Sequence, residues 1–131
     1  MQKKIVFNSA RIIAAVILLQ TLYFKFTGHP ESMYIFQKIG MEPVGRVGVG
    51  VAELLTSVLL FIPGLIGIGA LLGTGLMVGA IGMHLTILGI EVKNDGGYLF
   101  ILACVVLVCS FIVLWIRKKE LLTLIQKIFK K

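Results

Sequence analysis

Residues 52–90 read AELLTSVLLFIPGLIGIGALLGTGLMVGAIGMHLTILGI, and the fold turns on how this stretch is divided. Glu53 is its only formally charged residue and His84 its only other titratable side chain. The apolar tract already begins at Val47. One helix of that length, at ~1.5 Å per residue, would far exceed a hydrocarbon core of ~30 Å. Pro63-Gly64 is the natural break, because proline cannot continue a helix and glycine supplies a turn. The division gives one apolar span over residues 47–62 and another over residues 65–88.

Working outward, residues 98–116 contain no charge and form a further span. Toward the N-terminus, residues 7–26 are apolar after Lys3 and Lys4, which resembles the start of a signal peptide. Arg11 interrupts that apolar region, and Gln20, Tyr23, Phe24 and Lys25 stand where a small-x-small cleavage site would fall, so this reads as a permanent span. The expectation is an all-α integral membrane protein, a four-transmembrane-helix bundle making one membrane domain over residues 1–131.

Composition agrees with this. Hydrophobic residues make up 58% of the chain and charged residues only 15%, too few to cover a soluble domain of this size. The mean hydropathy is +1.01, so lipid is the solvent for most of the chain. A net charge of +7 would suit nucleic acid, but the basic residues bracket the apolar spans as they do at a headgroup surface. An even number of spans puts both termini on one side. That side carries Lys3, Lys4, Arg11, Arg117, Lys118, Lys119, Lys127, Lys130 and Lys131 against Glu120 alone. The other carries Lys25, Lys38, Arg46 and Lys93 with Glu31, Glu42, Glu91 and Asp95, so both termini are expected in the cytoplasm. Tyr23, Tyr98 and Trp115 sit at span ends, where amphipathic rings favour the interface.

Two segments lie outside the spans. In the outer loop, residues 27–45, Pro30 starts and Gly40 ends a short helix that either caps the bundle mouth or lies on the headgroups. His29 in that loop reads as a solvated side chain. The basic tail, residues 117–131, puts Leu121, Leu122, Leu124, Ile125, Ile128 and Phe129 on one broad helical face between lysines. It is either a C-terminal amphipathic helix on the inner leaflet or an extension of the last span.

The polar groups inside the spans are the candidates for function, since a charge there costs about 2.5–3.5 kcal/mol on insertion scales and calls for a partner. Glu53 lies seven residues beyond Arg46 on almost the same helix face. His84, Gln20 and Cys104 fall at a similar depth in the outer half of the membrane. One reading makes Glu53 the centre of a ligand-binding pocket, with His84 and Gln20 as hydrogen-bonding neighbours and Lys25 and Arg46 closing the mouth. Such a site suits a quinone ring or a similar amphiphile. The plainer reading is that Glu53 is neutralised by Arg46, Lys25 or His84 to pin helices together. Arg11 belongs near the opposite surface, where it snorkels away from Glu53.

Cys104 and Cys109, five apart on one helix, point about 140° away from each other and read as small apolar fillers. No CxxC, zinc pattern, Walker loop or GxSxG occurs, so no metal site and no built-in cofactor is expected. Gly75, Gly79, Gly82, Thr86 and Gly89 form a small-residue stripe suited to close helix packing. His84 points nearly opposite to it, so one of those two faces is available to a second copy in a homo-oligomer.

These residues, in order, resemble the DoxX family of small membrane proteins. The likeness runs from Arg11 to about Ile116 and rests on Arg11 and Lys25 at the ends of the first span and on residues 41–46, MEPVGR. It continues through Glu53-Leu54, Pro63-Gly64, His84-Leu85 and Asn94-Asp95-Gly96-Gly97. Leu22 departs from the small residue usual before the lysine. The resemblance implies a bacterial inner (cytoplasmic) membrane protein with a four-helix bundle. The family takes its name from a membrane subunit linked to thiosulfate:quinone oxidoreduction, and other members are associated with oxidoreductases. Three functions follow as expectations: a redox-associated accessory subunit with a quinone pocket in the outer leaflet and a redox partner protein; a small-amphiphile binding or transport protein; or a non-catalytic membrane anchor or assembly subunit.

Overall fold

The computed structural model describes residues 2–130; Met1 and Lys131, the last lysine of the basic tail, lie outside the described residues. Among the described residues every regular element is helical: α1 (Gln2–Phe26), α2 (Pro30–Lys38), α3 (Val44–Leu59), α4 (Ile66–Met83), α5 (Tyr98–Ile116) and α6 (Lys118–Phe129). The last turn of α4 widens into a π-helical segment, His84–Leu88. Three helices are long and apolar enough to cross a membrane: α1, α4 with its π segment, and α5.

Helix α3 is shorter, at 16 residues. The cause lies four residues beyond its end. The Pro63 ring has no N–H to donate and would collide with the Leu59 carbonyl if the helix ran on, so α3 is capped at Leu60 and the chain turns through Gly64 at φ +86°. At the other end of α4, Gly89 at φ +80° stops the π segment. α5 occupies residues 98–116 as expected, and α1 starts five residues before the expected span, at Gln2.

Four helices close a ring, with α1 against α3, α3 against α4, α4 against α5 and α5 against α1. The core between them is small and apolar: Ala10, Ala14 and Leu18 from α1, Ala70 and Met77 from α4, Ala103, Val106 and Val113 from α5. Two glycines let α4 approach its neighbours. A Cβ on Gly69 would stand 3.0 Å from the Leu60 backbone nitrogen, and one on Gly73 would stand 2.8 Å from Ser110 Oγ. Without a hydrophobic driving force between helices in lipid, such close backbone contact supplies the attraction. The stripe of Gly75, Gly79 and Gly82 is a different face. Nothing lies within 4 Å of where their side chains would be, so within one chain this stripe packs against no other helix.

The two short helices cover the two ends of the ring. α2 begins at Pro30 and packs on α1, α3 and the π segment of α4, so it caps the bundle and buries Ser32 and Phe36. His29 does more than meet water: its Nδ1 accepts the Glu31 amide at 3.3 Å and caps α2, while its ring stands edge-on to Phe24. At the opposite end, Arg117 breaks away from α5 (φ −104°, ψ 18°), so α6 is a separate helix. The Gly67 amide, in the first turn of α4, donates to Glu120 Oε1 at 2.9 Å and ties α6 there. A carboxylate at a helix N-terminus meets free N–H groups and the positive end of the helix dipole. The amphipathic face of α6 is left outward, with Leu122, Ile128 and Phe129 exposed.

Adding a methyl at Gly69 puts it against backbone that cannot yield, whereas at Gly79 it enters open space. Gly69→Ala is expected to cost about 1–3 kcal/mol and Gly79→Ala almost nothing, read as thermal unfolding in detergent. Equal effects at the two positions would contradict this packing.

Candidate functional site

The polar centre lies between α1 and α3 at the end that α2 covers. Glu53 is 3% exposed, placed on the inner face of α3 with Gly50, Thr56 and Ser57. Lys25, near the end of α1, reaches it: Nζ stands 3.0 Å from Glu53 Oε1. Thr21, one turn earlier on α1, shares its hydroxyl proton between the Leu18 carbonyl at 3.0 Å and Glu53 Oε2 at 3.2 Å. Both carboxylate oxygens are therefore engaged. Ser57 Oγ donates to the Glu53 carbonyl at 2.9 Å, a local bond within α3.

Arg46 belongs to the same network one step removed. Its Nε donates to both Glu42 oxygens at 2.9 Å, and its Nη1 donates to the Lys25 carbonyl at the end of α1. The last turn of a helix leaves carbonyls without partners, and a guanidinium satisfies one of them while favouring the negative end of the helix. Of the two cations expected at the mouth, Lys25 neutralises Glu53 and Arg46 is neutralised by Glu42. The Glu42–Arg46 spacing of four was a legible signal for that pair, as was Thr21–Lys25 for a shared face on α1.

His84 stands in a separate cluster. It is buried, its Nδ1–H donates to the Gly89 carbonyl at 2.9 Å, and its ring meets Phe100 edge-on with centroids 5.5 Å apart. The carbonyl acceptor fixes the proton on Nδ1. Gln20 is exposed on α1 and faces away from Glu53. The structure thus gathers Glu53, Lys25 and Arg46, with Thr21 and Glu42 added, and leaves His84 and Gln20 outside that network. Arg11 is elsewhere, donating to Asn8 Oδ1 at 2.6 Å and to the Leu60 carbonyl at 3.3 Å. Along α1 it lies ~20 Å from Lys25, at ~1.5 Å per residue.

Neither of two surface clefts among the described residues is lined by Glu53 or His84. One sits at the α6 end beside Arg11. The other, of about 360 Å³, is an apolar groove along α5 between Phe100, Cys104 and Val108. Cys104 and Cys109 are both free thiols. Among the described residues no three His, Cys, Asp or Glu side chains are gathered as a metal ion would require.

The loop after His84 is held by Asp95. Its Oδ1 accepts the Val92 and Gly97 amides at 3.0 and 2.8 Å, and Oδ2 accepts the Leu99 amide at 3.2 Å, which caps the start of α5. Partial burial alone raises the Asp95 pKa, but the three amides, helped by the field of His84, outweigh it and hold the carboxyl below its ordinary 3.8.

No family model, curated protein or solved structure matches this chain.

Because the folded-state pKa of Asp95 is depressed, its stabilising effect is complete above the ordinary carboxylate value and fades as pH falls through the lower folded one. Thermal unfolding of wild type beside Asp95→Ala should show a constant gap at neutral pH that narrows below about pH 3.9. A gap that widens on acidification would contradict the capping role.

Proposed function

We propose that this chain is a DoxX-like, four-span accessory subunit of a bacterial inner membrane, with both termini in the cytoplasm, that serves as an anchor or assembly partner. In this reading α3 with its following turns is the fourth span. One observation carries the functional part: the buried carboxylate in its spans is already matched within the chain, by Lys25 on one oxygen and Thr21 on the other. A group so enclosed pins α1 to α3 and, at 3% exposure, presents little of either oxygen to a substrate. The excess of basic residues at the α6 end supports the orientation, since cytoplasmic ends attract lysine and arginine. The resemblance to the DoxX family points to an oxidoreductase as the partner, which would bring its own redox centre.

A second reading, a subunit that also seats a quinone or similar amphiphile, is favoured by the groove on α5. Its walls are apolar, and Phe100 at one end is the ring against which His84 is held. An isoprenoid or acyl chain fits such a surface, with the His84 imidazole behind Phe100.

A double-mutant cycle tests the pinning, and ligand retention separates the two readings. Glu53→Met or Lys25→Met alone leaves one buried charge unmatched and should cost about 3–5 kcal/mol, while the two together should recover most of the loss. Native mass spectrometry of wild type beside Val108→Trp, which fills the α5 groove, should find no quinone on either protein. A quinone bound to wild type and lost from a folded Val108→Trp protein would overturn the anchor-only reading.

A further inference from the structure

The α6 end holds a group of cations with too little to balance it. Arg11 on α1 and Arg117 at the end of α5 converge on one ring: their guanidinium carbons lie 4.9 and 4.6 Å from the centre of Phe7. Arg11 also lies 4.8 Å from the centre of Phe61, and ring faces offset only part of the charge on two cations. Lys3 and Lys4 line the same cleft, which has a volume of about 770 Å³. The nearby acid is Glu120, and it is already committed. Its Oε1 accepts the Gly67 amide and its Oε2 lies 3.6 Å from Arg117 Nη1.

The donors tell the same story at the level of atoms. Arg11 uses Nη1 and Nη2 on the Leu60 carbonyl and Asn8, yet its Nε–H is buried with no partner among the described residues. The Nε–H of Arg117 is also buried and unpartnered. Those two buried N–H groups are closed to a ligand, but the Arg117 side chain is 41% exposed and Lys3 and Lys4 are exposed, so the cleft presents several cations to an acceptor with several oxygens. Guanidinium pairs of this kind recognise phosphate, whose oxygens accept from both.

We propose that this cleft binds the phosphate of an anionic phospholipid, in the leaflet that the α6 end faces. The lining decides between a lipid and a free ion. Pro63, Ile66 and Ile116 form an apolar wall next to the cations, matching the glycerol and upper acyl carbons of a lipid. Phosphates of the bilayer stand at this depth, where basic pockets between membrane helices take lipid headgroups. The inference is independent of the role given to Glu53, which belongs to the other end of α1.

The test uses the full chain, delipidated in neutral detergent and titrated with phosphatidylglycerol or with phosphatidylcholine, bound lipid being counted by native mass spectrometry. Wild type should retain phosphatidylglycerol and release phosphatidylcholine. Lys3→Gln combined with Lys4→Gln, both exposed and outside the core, should weaken retention by roughly fivefold per cation removed. Arg11→Gln should weaken it further and Arg11→Lys restore part of it. The lysine variant keeps the test decisive should Arg11→Gln fail to fold. Equal retention of the two lipids, or phosphatidylglycerol binding unchanged in the lysine variant, would overturn the proposal. So would saturation by inorganic phosphate alone with no lipid retained, which would make this a site for the free anion.

Discussion

A carboxylate in an apolar helix has to be matched, because neither lipid nor a core of alanine and valine can solvate it. Glu53 is that carboxylate, and the arrangement of one whole end of the protein follows from matching it. Lys25 must stand opposite, which sets the register of α1 against α3. Thr21, a turn away, then faces the second oxygen. With the Lys25 side chain drawn to Glu53, its carbonyl is left to Arg46, and Arg46 in turn is held by Glu42. Five side chains and one helix end form a single chain of bonds, and α2 closes over it.

The two ends of the bundle differ in how their charges are settled. At the α2 end every cation in the network has an anion from the chain itself, and the polar groups are enclosed. At the α6 end Arg11 and Arg117 share a phenylalanine ring, and Glu120 is divided between a helix N-terminus and one guanidinium. The first network is closed on itself. The second end is shaped to meet something negative. That contrast places the internal pinning of the fold and its contact with the surroundings at opposite ends of α1.

Much of the architecture was legible beforehand because it depends on local rules. Pro63-Gly64 divides the apolar tract wherever it is placed, since the ring blocks the preceding turn. Residues 98–116 form a helix of the expected length, and Pro30 opens α2 as its fixed φ allows. The candidate site was legible only in part. Glu53 and Lys25 stood out as charges in apolar surroundings, but depth alone could not tell neighbours from residues on another face. His84 shares a depth with Glu53 on a linear count, yet the π segment turns it toward Gly89 and Phe100. The glycine stripe was similarly ambiguous: spacing marks a smooth face, while only the packed helices show that Gly69 and Gly73 take the close contact.

The sequence by itself determined that the chain is helical, that lipid is its solvent, where the apolar helices divide, and which buried charges need partners. These follow from composition, proline and glycine chemistry, and the cost of an ion in hydrocarbon, none of which needs a neighbour to be specified. Tertiary structure alone decided the distant pairing: Lys25 with Glu53, Arg46 with the Lys25 carbonyl, and Arg11 with Arg117 on the Phe7 ring. The physical reason is that several cations could have answered the same carboxylate within the reach of their side chains. Which one does so is fixed by how closely the alanine and glycine faces let the helices approach, and with what rotation.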